Sequence, residues 1–169
     1  PYDGIRQVVV AGMGGSAIGA DLLAAYESPL SSVPILVWRN YELPAFAGGQ
    51  ETLVIACSHS GNTEEALSAF ERAQESDARL MAITTGGELA RRAISKKVPL
   101  WQFDHDGQPR TAVGYSFGLL LSALVRLNLV PNPGDELANC ITAMKVQQAN
   151  LRAEIPIAEN LAKQRSEER

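Results

Sequence analysis

The chain has 169 residues, of which 46% are hydrophobic and 20% charged, and its formal net charge is −4. This length and apolar share suit one well-buried globular domain, while the acidic balance argues against nucleic acid or an anionic membrane surface as the main partner. The two cysteines, Cys57 and Cys140, have no CxxC spacing and no zinc-like grouping, a pattern that fits a reducing cytoplasm. Residue 1 is proline, so the chain is expected to be a piece of something longer.

Strand and helix patterns alternate along it. Ile5 to Ala11 reads as a β-branched strand, followed by the Gly-rich turn Gly12 to Gly15. Helical spacing through Ile18, Leu22 and Tyr26 predicts a helix over Ser16 to Glu27. Val33 to Trp38 is a second strand, and Arg39 to Gln50 a loop with Pro44 and Gly48-Gly49. Thr52 to Cys57 is a third strand and Thr63 to Glu75 a second helix. Arg79 to Thr84 is a fourth strand, broken at Gly86-Gly87 before a short helix at Glu88 to Ser95. Val98 to Phe103 makes a fifth. After the loop Asp104 to Arg110, helices are predicted over Val113 to Leu129 and from Gly134 to about Gln148. The longest apolar run, Phe117 to Val125, is too short for a bilayer. Being apolar nearly all round, it suggests a helix buried in the core or in a subunit interface.

Near-continuous apolar strands separated by helices mean a parallel sheet covered on both faces. The expected fold is a doubly wound α/β domain of the flavodoxin-like kind, five-stranded, with its functional loops at the carboxyl ends of the strands.

Two such loops carry chemistry. Gly12-Met13-Gly14-Gly15-Ser16-Ala17 satisfies GxGxx(G/A) behind the first strand and so admits a dinucleotide site. A carboxylate is then expected at the end of the second strand, where the sequence has Arg39, which only an NADP-type site would welcome. The glycines also read plainly as a tight strand-to-helix turn. A third reading has Gly14, Gly15 and Ser16 presenting N–H groups and a hydroxyl to an oxygen-rich ligand. The second loop, Ser58-His59-Ser60-Gly61-Asn62-Thr63, opens a helix after a buried strand. Unpaired N–H groups of a first helical turn, a positive dipole end and the hydroxyls of Ser58, Ser60 and Thr63 make a phosphate cradle. In a flavodoxin-like sheet the first and third strands are neighbours, so the two loops face one crevice.

At these residues the sequence resembles the sugar isomerase (SIS) domain family, most nearly the first SIS domain of the bifunctional phosphoglucose/phosphomannose isomerases. Gly12 to Ser16, Arg39-Asn40-Tyr41-Glu42-Leu43-Pro44, Ser58 to Thr63, and Pro109-Arg110-Thr111-Ala112 look like that subfamily's landmarks, in order. The resemblance implies that Ser58, Ser60 and Thr63 hold the phosphate of a hexose 6-phosphate and that Gly14, Gly15 and Ser16 bind hydroxyls along the sugar. It places Arg110 beside the C1–C2 end, where a guanidinium that keeps its proton stabilises an enediolate. No metal and no organic cofactor is expected. Glucose 6-phosphate or mannose 6-phosphate would interconvert with fructose 6-phosphate.

The base in that family is a glutamate beyond the first domain. A ring-opening histidine from a neighbouring subunit and a late lysine also lie beyond it, and none has a counterpart here. Residues 1–150 are therefore expected to form the SIS domain. Residues 151–169 would begin a helical connection to a second one, with Asn160 to Lys163 near the junction, and the chain alone is expected to be inactive. Glu64 and Glu65 read as complements of the helix dipole. Alternation points His59 away from the ligand, and His105 reads as a structural or solvated loop histidine. Trp38 and Trp101 read as core packing. Two other functions remain open: a non-catalytic sugar-phosphate sensor and an NADP-binding Rossmann module. The resemblance implies a cytoplasmic homodimer in the full-length protein, with no membrane or nucleic-acid partner.

Overall fold

The apolar runs of the sequence pair side by side as parallel strands: β1 (Gln7–Ala11), β2 (Ile35–Trp38), β3 (Thr52–Ser58), β4 (Arg79–Thr84) and β5 (Leu100–Gln102). They lie in the order β2-β1-β3-β4-β5, the flavodoxin-like winding that the sequence predicts. The computed structural model describes residues 2–167. Pro1, Glu168 and Arg169, at the outer ends of the two expected segments, lie outside the described residues.

Helices α1 (Gly14–Glu27), α2 (Glu64–Glu75), α3 (Gly87–Ser95) and α4 (Val113–Arg126) cover the sheet. The alternation of side chains along a strand decides which helices meet which residues. Val9, Val54, Ala56, Leu80 and Ala82 pack with Phe70 and Ala73 of α2 and Leu89 and Ala93 of α3. Residues of opposite parity, such as Cys57, face α1 and α4, whose Ser16 and Ser116 reach its thiol. All seven residues of β3 are buried, as a central strand with both faces covered must be. Helix α4 buries Leu120, Leu121, Ala123 and Leu124, so its apolar run is core packing against α1.

Several element ends fall short of the expected bounds, each for a local reason. Pro34 cannot donate to a ladder and the Val33 N–H goes to Ser31 Oγ, so β2 starts at Ile35. Val98 is spent closing α3, its N–H donating to Ala93 O behind a left-handed Lys97, so β5 starts at Leu100. The same kind of cap ends α4 at Arg126, with Asn128 left-handed and Leu129 N–H on Leu124 O. In the opposite direction, α1 begins at Gly14, before the predicted Ser16.

Residues up to Pro131 make one compact unit and those from Asn132 another. The second contains α5 (Asp135–Asn150) and α6 (Leu161–Glu167). Asn160 organises it. Buried at 1% exposure, its side-chain oxygen accepts from the N–H groups of Ala162 and Lys163 while its amide donates to Arg152 O. That is an N-cap for α6. Lys163 Nζ donates to the carbonyls of Ala153 and Ile155. Among the described residues no helix is long and apolar enough to cross a membrane.

Candidate functional site

Parallel strands end on the same side of a sheet, and the pairing of Ala11 with Ala56 brings the loops after β1 and β3 out side by side. Helix α1 opens at Gly14, so Gly14, Gly15 and Ser16 form its first turn, and Met13 supplies no side-chain cap. Their N–H groups have no intrahelical acceptor. Gly14 has a φ of +51° with open space where a Cβ would stand. Ser16 differs from its neighbours: it is 5% exposed, and its hydroxyl bonds the thiol of Cys57 beneath the loop. Burial pushes that thiol up to about 11. Of the two donors on Ser16, it is the backbone N–H that shares the orphan character of the Gly14 and Gly15 N–H groups.

The serine loop is built in two tiers. Ser58, 2% exposed, ends β3. Its Oγ accepts from the Gly61 N–H at 3.0 Å and lies 2.9 Å from Thr63 Oγ1. Thr63 precedes the first turn of α2, yet its hydroxyl turns back to Ser58 and caps nothing. The first N–H groups of α2 are thereby left open. Ser60 is exposed, accepting only from Asn62 N–H at 3.2 Å. Gly61 holds the bend: at φ +69°, a Cβ there would stand 1.8 Å from Gly86 O. The N-terminus of α3 braces the loop from behind, with Glu88 N–H on Asn62 Oδ1 and Leu89 N–H on Gly61 O.

Arg110 sits in a 3-10 turn, Pro109–Thr111, within the predicted loop. Its guanidinium is exposed and rests on the side-chain oxygen of Gln108. A Cβ on Gly15 would lie 3.4 Å from the Arg110 Cα, so the structure joins Arg110 to the first loop directly. Behind the serine loop, His59 Nε2 lies 2.9 Å from His105 Nδ1. Burial, with His105 beside it, holds the His59 imidazole below its ordinary value. Periodicity gave no sign of this pair, since 46 positions separate its members.

Other side chains settle into plain roles. Glu64, at the start of α2, accepts from Tyr41 OH at 2.9 Å, which raises the phenol's pKa. Tyr41 is thus a neighbour of the cradle that its loop position alone did not reveal. Arg39 pairs with Asp21. Trp38 packs against the core and donates to Glu42 O, and Trp101 lies under the Arg126 guanidinium. Among the described residues no three His, Cys, Asp or Glu side chains group as metal ligands.

The arrangement is two uncapped helix N-termini, a set of hydroxyls and one exposed guanidinium around adjoining loops. It can hold a polyhydroxylated anion by its charged end. No family model matches the chain. It is 40% identical over 159 residues to a bifunctional phosphoglucose/phosphomannose isomerase of Caldicellulosiruptor bescii, covering 94% of this chain and 47% of that protein. It is 34% identical over 120 residues to a D-glucosamine-6-phosphate 4-epimerase of Sulfolobus acidocaldarius, 70% of this chain and 37% of the other. Among solved structures, tagatose-6-phosphate ketose/aldose isomerase from Escherichia coli aligns with a TM-score of 0.60 at 18% identity, over 85% of this chain and 43% of that one. The chain spans less than half the length of each of these three proteins.

Proposed function

This chain belongs to the sugar isomerase (SIS) domain family, and on that premise we propose that it is the sugar-phosphate-binding part of an aldose–ketose isomerase. The substrates are glucose 6-phosphate or mannose 6-phosphate and fructose 6-phosphate. The observation that carries this reading is the Thr63 hydroxyl, which leaves the α2 N-terminus uncapped by bonding Ser58. An uncapped N-terminus with free N–H groups and a positive dipole end is where a phosphate is held.

In this reading Ser60, Thr63 and the first-turn N–H groups of α2 take the phosphate, with Ser58 shaping the loop. A phosphate carries about −2 charge at neutral pH, so it anchors the open-chain sugar at the end away from the reacting carbons. The N–H groups of Gly14, Gly15 and Ser16 meet sugar oxygens. Arg110 lies at the C1–C2 end. As a proton moves between those carbons through an enediol or enediolate, its fixed positive charge stabilises the developing oxyanion without acting as a base. The base belongs to a part of the protein outside this chain, so binding energy is supplied here and proton transfer elsewhere. Similarity to a relative named for a 4-epimerase fits this division, because a phosphate grip does not choose which carbon reacts.

The test is calorimetric titration of the chain with fructose 6-phosphate, fructose and NADP, followed by an isotope-exchange assay. Binding of fructose 6-phosphate but not of fructose or NADP is expected, with no exchange of the C1–C2 proton by the chain alone. Binding of NADP with indifference to fructose 6-phosphate would sink the reading. Robust proton exchange would show that a base lies within these residues.

A further inference from the structure

The segment that carries Arg110 leaves the sheet after Phe103, whose N–H makes the last ladder bond, to Thr84 O. From there to Ala112 its recorded backbone hydrogen bonds are internal: Thr111 N–H to Gln108 O and Ala112 N–H to Pro109 O. Residues 106–111 are exposed. The segment's Pro109 end rests on Gly15, and the stretch before that turn depends on side chains to keep one position, which the histidine pair is placed to supply.

We propose that His59 and His105 are positioning residues, their hydrogen bond tying the phosphate loop to the Arg110 segment so that both ends of a bound sugar phosphate are held in register. The inference rests on the sugar-phosphate reading above. On one side, His59 is fixed by its own backbone: its carbonyl accepts from Thr85 N–H at 3.2 Å and Thr85 Oγ1 at 2.7 Å. On the other, the His105 ring is enclosed. Its Nε2 lies 3.4 Å from Thr111 Oγ1, and a Cβ on Gly107 would stand 2.5 Å from its Cε1. Thr111 in turn donates to Gln108 O, and the Gln108 side chain receives the Arg110 guanidinium.

Aromatic rings complete the enclosure. Tyr115 lies 5.4 Å from the His105 ring and stacks on Phe103 at 5.2 Å, while Phe103 meets His59 edge-on at 6.1 Å. A connected chain therefore runs from the residue between Ser58 and Ser60 to the residues flanking Arg110. The two imidazoles share one hydrogen bond, one ring donating and the other accepting according to tautomer. The tie orients Arg110 without touching substrate. Displacing a charged group by about 1 Å costs far more in binding and rate than in stability.

Amide hydrogen exchange and ligand titration on the whole chain test it. Three proteins are compared: wild type, His59→Phe, which removes the bond, and His59→Gln, which keeps a hydrogen-bonding amide. In His59→Phe the amides of Thr111 and Ala112 should exchange at least about fivefold faster, with those of Gly61 and Leu67 unchanged. Methyl phosphate, which needs only the cradle, should bind as in wild type. Fructose 6-phosphate should bind about tenfold more weakly, as it would on losing a charge-assisted bond from Arg110. His59→Gln should recover part of both effects. Combining His59→Phe with Arg110→Ala should weaken fructose 6-phosphate no further than Arg110→Ala alone. Unchanged exchange at Thr111 and Ala112 would overturn the tie whatever the ligands do. Faster exchange with equal losses for both phosphates would overturn its link to Arg110. Failure of wild type to bind either phosphate would overturn the site reading and the positioning role together, while the exchange data would still decide whether the tie exists.

Discussion

Gly15 packs directly on the backbone of Pro109, so closely that an added Cβ would stand 2.4 Å from the Pro109 carbonyl oxygen. The obstacle is main chain, so it cannot swing aside as a flexible side chain would. Gly15→Ala should therefore push the Pro109–Thr111 turn away from α1 and cost about 1–3 kcal/mol of stability. Urea denaturation measures the loss. Fructose 6-phosphate should weaken more than methyl phosphate in the same variant, because the turn that moves is the one with Arg110. Wild-type stability would show that the turn is not seated on α1.

The two tiers of the serine loop should separate by substitution. Ser58→Ala removes the buried Oγ that accepts from the Gly61 N–H and meets the Thr63 hydroxyl, leaving Gly61 only its longer 3.3 Å bond to Ser58 O, which costs about 0.5–1.5 kcal/mol of folding stability. Ser60→Ala removes an exposed hydroxyl and should leave the unfolding midpoint within experimental scatter. Its effect falls on phosphate, where a hydrogen bond to a charged group is worth about 1.5–3 kcal/mol, or about tenfold or more in affinity. Equal loss of stability in both variants would contradict the two-tier loop.

The cysteines should differ sharply in reactivity. Cys57 is 2% exposed and its thiol is pushed up to about 11 by burial, whereas Cys140 is exposed. At about pH 8 the Cys57 thiolate is scarcer by roughly 100-fold than that of an ordinary thiol, before access is counted. Alkylation followed by mass spectrometry should label Cys140 within minutes and leave Cys57 untouched until denaturant is added. Early labelling of Cys57 would mean that α1 opens readily from β3.

Acid should loosen the tie at His59. Its folded-state value lies below the ordinary 6.5, so the unfolded chain binds its proton more readily. Stability from this group is fully present above about pH 6.5 and is lost as pH falls through the folded-state value. The ring faces His105, Phe103 and, through them, Tyr115. The exposed carboxylates of Asp104 and Asp106 flank His105 along the chain. Urea midpoints at about pH 5.5 and 7.5 should differ more in wild type than in His59→Phe. Equal differences would remove His59 from the account.

Much of the site was legible from residue order. A glycine turn behind one buried strand and a hydroxyl loop behind another lie at the same sheet edge once the winding is known, and the winding follows from alternating strands and helices. Ser58, Ser60 and Thr63 stand out as candidates because their chemistry is local to one helix start. What residue order does not give is direction: nothing in the spacing of Ser16 shows that its hydroxyl lies against the Cys57 thiol. Arg110 was placed only by resemblance, since a lone loop arginine has no periodicity to identify it.

By itself the sequence determined the strands, the helices and the loops that carry hydroxyls, glycines and Arg110, because those depend on local backbone preference and on which residues avoid water. Tertiary structure alone decided the partners. Gly15 meets Pro109, His59 meets His105 and Tyr41 meets Glu64 across separations over which no periodic signal survives. Side-chain hydrogen bonds and close backbone contacts are set by packing in three dimensions, and packing is fixed only when the sheet has closed.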